Sequence, residues 1–246
     1  MGKTFEALQR SQKEHDRELF QPVPYEPKPV QAFPGPASPS RFAPAWCREL
    51  WSKCTLGGHK ILLVTGVSSG SGCTTAVGYY AAYLAFNLSL KVLVLDMNSI
   101  DPSGMKRFFL RQDKRSLVEL FTPRAIQTVK SFETLKRNLV VVTADEEPFE
   151  ELSRWIASPQ FSTFLQRAAG QFDVVLLDTA PVQFSMETRV LVSKVDGVIL
   201  MLESGRTRRG TALKIRKELL EAGANLVGTV INKRRYYIPN WLYSRL

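Results

Sequence analysis

From residue 45 onward, six short apolar runs recur along the chain: KILLVT (60–65), KVLVLD (91–96), NLVVVT (138–143), FDVVLLD (172–178), DGVILML (196–202) and NLVGTVIN (225–232). Each is rich in Val, Ile and Leu and lacks the polar alternation of a half-exposed strand, so each is read as a strand buried on both faces, as in a parallel sheet. Segments with helical spacing lie between them, at Thr74–Leu90, Ser158–Ala169, Glu187–Lys194 and Thr207–Ala222. Strand and helix in alternation predict an α/β fold: a doubly wound, mostly parallel sheet flanked by helices, with ligands bound beyond the carboxyl ends of the strands.

The first 44 residues follow different rules. Thr4–Phe20 is charged and rich in helix formers, with a thin apolar stripe at Phe5, Leu8, Leu19 and Phe20, which predicts an exposed N-terminal helix. Pro22 to Pro44 contains eight prolines, which fix extended or polyproline backbone and forbid a packed helix. This segment is either a semi-rigid tether or a recognition segment for a partner. The chain therefore divides into a helix and Pro-rich linker (1–44) and one domain (45–246).

At 246 residues and 44% hydrophobic content, the chain can bury one substantial core. No stretch reaches the roughly 18 apolar residues needed to span a bilayer, and the N-terminus is too charged for a secretory signal. The expected location is cytoplasmic. Cys47, Cys54 and Cys73 show no metal-ligand spacing and are read as reduced thiols. Glu6 occupies the position where a myristoylation pattern requires Ser or Thr. A net charge of +10 favours acidic partners without selecting among nucleic acid, lipid headgroups, phosphates and proteins.

Three loops that follow strands carry candidate chemistry. In GVSSGSGCTT (66–75), Gly70 and Gly72 allow backbone amides to converge on an anion at a helix N-terminus, and Thr74 stands where a phosphate loop GxxxxGK[ST] places its magnesium hydroxyl. Against that pattern the first glycine is Val67 and the lysine is Cys73; a Gly and Ser turn between strand and helix also fits these residues. The second loop begins at Asp96 and the third at Asp178, each at the tip of its strand. Either aspartate alone reads equally as a turn or cap residue. Together with Thr74 they form a hydroxyl and two carboxylates suited to a hydrated magnesium ion beside a triphosphate.

These segments, in order, resemble the cytoplasmic domain of bacterial tyrosine kinases, a polysaccharide-associated branch of the deviant Walker ATPases. SSGSGCTTAVGYYAAYLA is similar to the Walker A loop and its helix, VLVLDMNSIDPS to the A-prime segment, EPFEELSRWIASPQF to the middle segment, and FDVVLLDTAPV to Walker B. DGVILMLESGRTRRG, LVGTVINKRRYY and PNWLYSRL continue the match, and GKTFEALQRSQKE is similar to the start of forms lacking a membrane-spanning half. The resemblance implies a P-loop nucleotide-binding fold, MgATP as cofactor, self-association into a ring, and partnership with an inner-membrane copolymerase that sets polysaccharide chain length. It assigns Gly70, Gly72, Cys73, Thr74 and Asn232 to the nucleotide, Thr74, Asp96 and Asp178 to magnesium, and Asp96 and Asp178 to catalysis.

The departures are equally specific. A thiol with pKa near 8.5 does not replace the lysine charge at position 73 in either protonation state; its other reading is a redox-sensitive thiol whose pKa falls at a helix N-terminus. Asn98, Ile100 and Asp101 stand where active relatives carry a carboxylate and basic residues, and in AWCRELW (45–51) only Arg48 remains of the ring-forming Glu and Arg set. The tail retains Tyr236, Tyr237 and Tyr243, read either as packing residues or as phosphorylation sites. Arg206, Arg208 and Arg209 are read as a solvated helix start, or as a surface for acidic partners. The leading expectation is a pseudokinase partner of the copolymerase, acting in exopolysaccharide or capsule synthesis and export and held peripherally at the inner membrane. The alternative is an active tyrosine autokinase or ATPase with a non-standard loop. A partition-type nucleic-acid ATPase lacks a stacking face or a DNA-binding module, so no nucleic acid is expected.

Overall fold

All six apolar runs are strands: β1 (Ile61–Gly66), β2 (Val92–Met97), β3 (Leu139–Thr143), β4 (Val174–Thr179), β5 (Gly197–Glu203) and β6 (Leu226–Asn232). The computed structural model describes residues 45–98, Met105, 138–143 and 149–234. The expected N-terminal helix, the proline segment, Ile100, Asp101, Tyr236, Tyr237 and Tyr243 lie outside the described residues. The strands form one sheet in the order β3-β2-β4-β1-β5-β6, and every pairing is parallel.

The reason the runs lack alternation is visible in their burial. Ile61, Leu63, Leu93, Leu95, Val175 and Leu177 point to one face of the sheet; Leu62, Val64, Val92, Val94, Val174 and Leu176 point to the other, and all are buried. Each such side chain contributes roughly 1.5–3 kcal/mol by leaving water, so a strand with two apolar faces is stable only between two helical layers. On the first face lie α3 (Phe149–Ala157), α4 (Pro159–Gln171) and α6 (Arg209–Glu221), through Ile156, Phe161, Leu165, Ile215 and Leu219. On the second lie α1 (Ala45–Leu56) and α2 (Cys73–Ala82), through Cys47, Leu50, Cys54, Val77 and Tyr80. The short α5 (Met186–Leu191) follows β4.

Two differences from the expected helices have physical causes. The helix expected to reach Leu90 stops its α-turns at Ala82 and continues as a π-turn over Tyr83–Asn87. Asn138, just before β3, donates through Nδ2 to the carbonyls of Ala85 (2.5 Å) and Leu90 (3.1 Å), carbonyls that a continued α-helix would direct elsewhere. The helix expected over Glu187–Lys194 starts one residue earlier and ends at Leu191; Ser185 caps it by accepting from the Thr188 amide at 3.1 Å. No helix among the described residues is long and apolar enough to cross a membrane.

Phe161 is fully buried and meets the Trp155 ring edge-on at 4.3 Å between centroids. Phe161→Ala is expected to cost about 3–5 kcal/mol, read as a lowered urea midpoint at unchanged slope. Burial pushes the Cys47 thiol up to about 12 and raises that of Cys54, the latter opposed by a bond from the Tyr80 hydroxyl. Below about pH 8.5 both folded and unfolded states hold these protons, and above it the unfolded state releases them first. Stability therefore falls as pH rises, by about 1.4 kcal/mol per pH unit for each thiol across the window between its two pKa values. Urea midpoints measured between about pH 7 and about pH 10 check the sign; an unchanged stability would refute it.

Candidate functional site

β1 ends at the carboxyl edge of the sheet and delivers the loop 67–72 into α2. The loop is closed by its own polar groups. Ser71 is buried; its Oγ donates to the Ser68 carbonyl at 2.6 Å, and its amide donates to the same carbonyl at 3.2 Å. In return the Ser68 amide donates to Ser71 Oγ at 3.3 Å. Gly70 and Gly72 hold φ of +77° and +88°, left-handed conformations that favour glycine. Asn232, the last residue of β6, donates through Nδ2 to the Ser71 carbonyl at 3.0 Å, and a Cβ on Gly72 would collide with that Nδ2. Asn232 and the loop are thus brought together across 161 residues of sequence.

Cys73 opens α2, but its side chain runs beneath the loop. A Cβ on Gly66 would stand 2.9 Å from Cys73 Sγ. Burial first, and the Asp178 carboxylate second, raise the thiol well above its ordinary value, outweighing a backbone hydrogen bond that lowers it. The direction agrees with the reading of an uncharged thiol and goes against the alternative of a pKa lowered at the helix end, since desolvation and a like charge exceed what that end supplies. Position 73 presents a neutral thiol.

The carboxylates arrive by strand register. Asp96 and Asp178 are direct neighbours in the β2–β4 ladder, and Asp178 also pairs with Val64 of β1; both aspartates are buried. Asp96 Oδ1 accepts from the Asn98 amide at 3.2 Å, and Asn98 Nδ2 donates to Thr74 Oγ1 at 3.4 Å. Thr74, Asn98 and Asp96 form one connected set, and the charge of the nearby Asp178 carboxylate disfavours ionisation of Cys73. Both carboxylates are withdrawn from water on adjacent strands. Hydroxyl and carboxylate oxygens are the ligands magnesium prefers. Among the described residues no three His, Cys, Asp or Glu side chains hold a metal by themselves, so such an ion would complete its shell with water and phosphate oxygens. A glycine cradle and a hard-oxygen donor set therefore fit a magnesium nucleotide, whereas residue 73 supplies no charge to it.

The apolar pattern does not mark the other side of the loop. Glu203 ends β5 and holds two cations, Lys233 Nζ at 3.1 Å and Arg206 Nη1 at 3.5 Å. Arg206 is exposed, as expected, yet its Nη1 stands 3.9 Å from where a Cβ on Gly70 would be. The signal in the sequence is Gly205 and Thr207 flanking it, the composition of a tight turn rather than of a free helix start. Of the three cysteines, all buried, none is expected to react with Ellman's reagent in the native protein near neutral pH, and all three in denaturant. A native thiol titrated at once would contradict the burial of Cys73.

No protein-family model matches the chain. Tyrosine-protein kinase CpsD of Streptococcus agalactiae is 23% identical over 175 residues, covering 71% of this chain and 76% of that protein. A putative tyrosine-protein kinase, CapB of Staphylococcus aureus, is 26% identical over 174 residues, covering 71% and 75%. Among solved structures, the chimerical protein CapA2B2 superposes with a TM-score of 0.68 at 20% identity, over 77% of this chain and 84% of that one. The kinase domain of the Escherichia coli tyrosine kinase ETK gives 0.66 at 19% identity, over 91% and 89%. The homologues of this chain are bacterial tyrosine-protein kinases, and its six-stranded parallel sheet flanked by helices has the P-loop NTPase-like fold of the ETK kinase domain.

Proposed function

We propose that this chain is a pseudokinase: the cytoplasmic, kinase-like partner of an inner-membrane copolymerase that sets chain length in exopolysaccharide or capsule synthesis and export. The observation that carries this reading is the buried Cys73 side chain, a thiol in place of an ammonium at the lysine position of a loop whose other parts converge. In this reading the amides around Gly70 and Gly72 face the phosphates, Thr74, Asp96 and Asp178 hold magnesium, and Asn232 lies beside the base. MgATP, when bound, would supply a transferable phosphoryl group.

Transfer needs more than a cradle. Charge developing on the phosphoryl oxygens has to be met by fixed cations, and the attacking hydroxyl needs a proton acceptor. Cys73 brings no charge, and Asn98 presents an amide, with no basic oxygen, at Thr74. Both changes reduce transfer while leaving the fold that a partner would recognise. The names of the relatives, tyrosine-protein kinases, support the kinase-like half of this proposal.

The second reading, an active tyrosine autokinase or ATPase, is favoured by one observation: Thr74, Asp96 and Asp178 remain assembled at one strand edge. Purified protein incubated with MgATP and the cytoplasmic segments of its copolymerase, with phosphotyrosine detected by antibody, separates the two. Complex formation with no phosphotyrosine is expected, and Cys73→Lys is expected to raise ATP turnover. Phosphotyrosine in the unaltered protein would establish the second reading instead.

A further inference from the structure

We propose that Arg206, carried on the loop between β5 and α6, supplies in cis the positive charge that the phosphate loop lacks at Cys73, so that the site binds a nucleoside polyphosphate through this arginine. This inference rests on the nucleotide reading of the loop given above.

The placement of Arg206 is built. Gly205 turns the chain at φ +75°, the Thr207 amide donates to the Glu203 carbonyl at 2.9 Å, and the Glu203 amide donates to Thr207 Oγ1 at 2.9 Å. That closed turn fixes the backbone of residue 206 relative to the end of β5, which pairs in parallel with β1 at Gly66. From there the guanidinium reaches to within 3.9 Å of the Cβ position of Gly70. Gly70 carries no side chain, so the arginine approaches the loop backbone directly. Lys233 follows Asn232, the residue bonded to the Ser71 carbonyl, and its backbone is held at φ +55°. Its Nζ shares Glu203 with Arg206.

The charge balance of this corner favours an anion. Two cations meet one carboxylate, leaving an excess of one positive charge. Arg208 and Arg209 stand at the N-cap and first position of α6, which has no acidic residue in its first turn. Cations at a helix N-terminus oppose the helix dipole. An anion bound nearby offsets that cost. Arginine also suits the task better than a point charge, since its planar fork donates two parallel bonds to phosphate oxygens. The Arg206–Glu203 contact is long and solvent-exposed on the arginine side, so exchanging the carboxylate for phosphate loses little.

The test is calorimetric titration of the full chain with MgATP, MgADP and AMP, using Arg206→Gln, Arg206→Lys, Cys73→Lys and the double variant Arg206→Gln/Cys73→Lys. Arg206 is exposed, and each variant is checked for an unchanged melting temperature before titration. Wild type is expected to bind MgATP; Arg206→Gln should weaken it at least tenfold while changing AMP less than threefold, Arg206→Lys should restore part of the loss, and Cys73→Lys should restore binding to Arg206→Gln. Equal MgATP affinity in wild type and Arg206→Gln overturns the inference. If wild type fails to bind and Cys73→Lys binds, Arg206 is not a substitute although the pocket is a nucleotide site. If neither binds, the nucleotide reading fails and the inference falls with it.

Discussion

The parallel register of β1, β4 and β2 is the constraint on which the site depends. Val64, Asp178 and Asp96 sit side by side across three strands, so the loop after β1 emerges at the level where the two carboxylates are presented. A one-residue slip in either ladder would turn an aspartate into an apolar layer and a leucine to the edge. The two-faced apolar packing forbids that slip, because every other residue of these strands is already committed to a helical layer. Core packing and site geometry are the same constraint viewed at different ends of the strand.

The loop itself is held by neutral hydrogen bonds and backbone geometry. Ser71 folds the loop onto Ser68, Gly70 and Gly72 accept left-handed angles, and Asn232 ties the turn to the far side of the sheet. None of these contacts involves residue 73. The cradle can persist when its lysine is absent, which is why loss of charge at one position does not entail loss of shape.

Much of the fold was legible because burial on both faces leaves an unmistakable composition: six Val, Ile and Leu runs correspond to six strands, with their order in the sheet following from the doubly wound rule only in outline. Helices were less legible. The stripe Cys47, Leu50, Cys54 has helical spacing, but it lies among tryptophans and charges that obscure it; the π-turn after α2 depends on Asn138, remote in sequence. At the site, Thr74, Asp96 and Asp178 were nameable in advance because each lies where an apolar run gives way to a loop or a loop to a helix, and Asn232 through the family resemblance alone. Glu203 and Lys233 were not, because a surface ion pair between distant loops leaves no local pattern. That residue 73 carries no positive charge was legible from its being a cysteine; the nearby Asp178 carboxylate, which comes from another strand, was not.

The position of Cys73 Sγ beneath Gly66 links two sites that the phosphate-loop pattern treats as separate. With the sulfur in place, residue 66 has no room for a side chain; with any larger residue at 66, the sulfur must move. The constraint runs one way: a side chain at residue 66 is excluded while the sulfur is there, whereas residue 73 can change with Gly66 in place. The thiol has acquired a packing role of its own, and while it is present the end of β1 is confined to glycine.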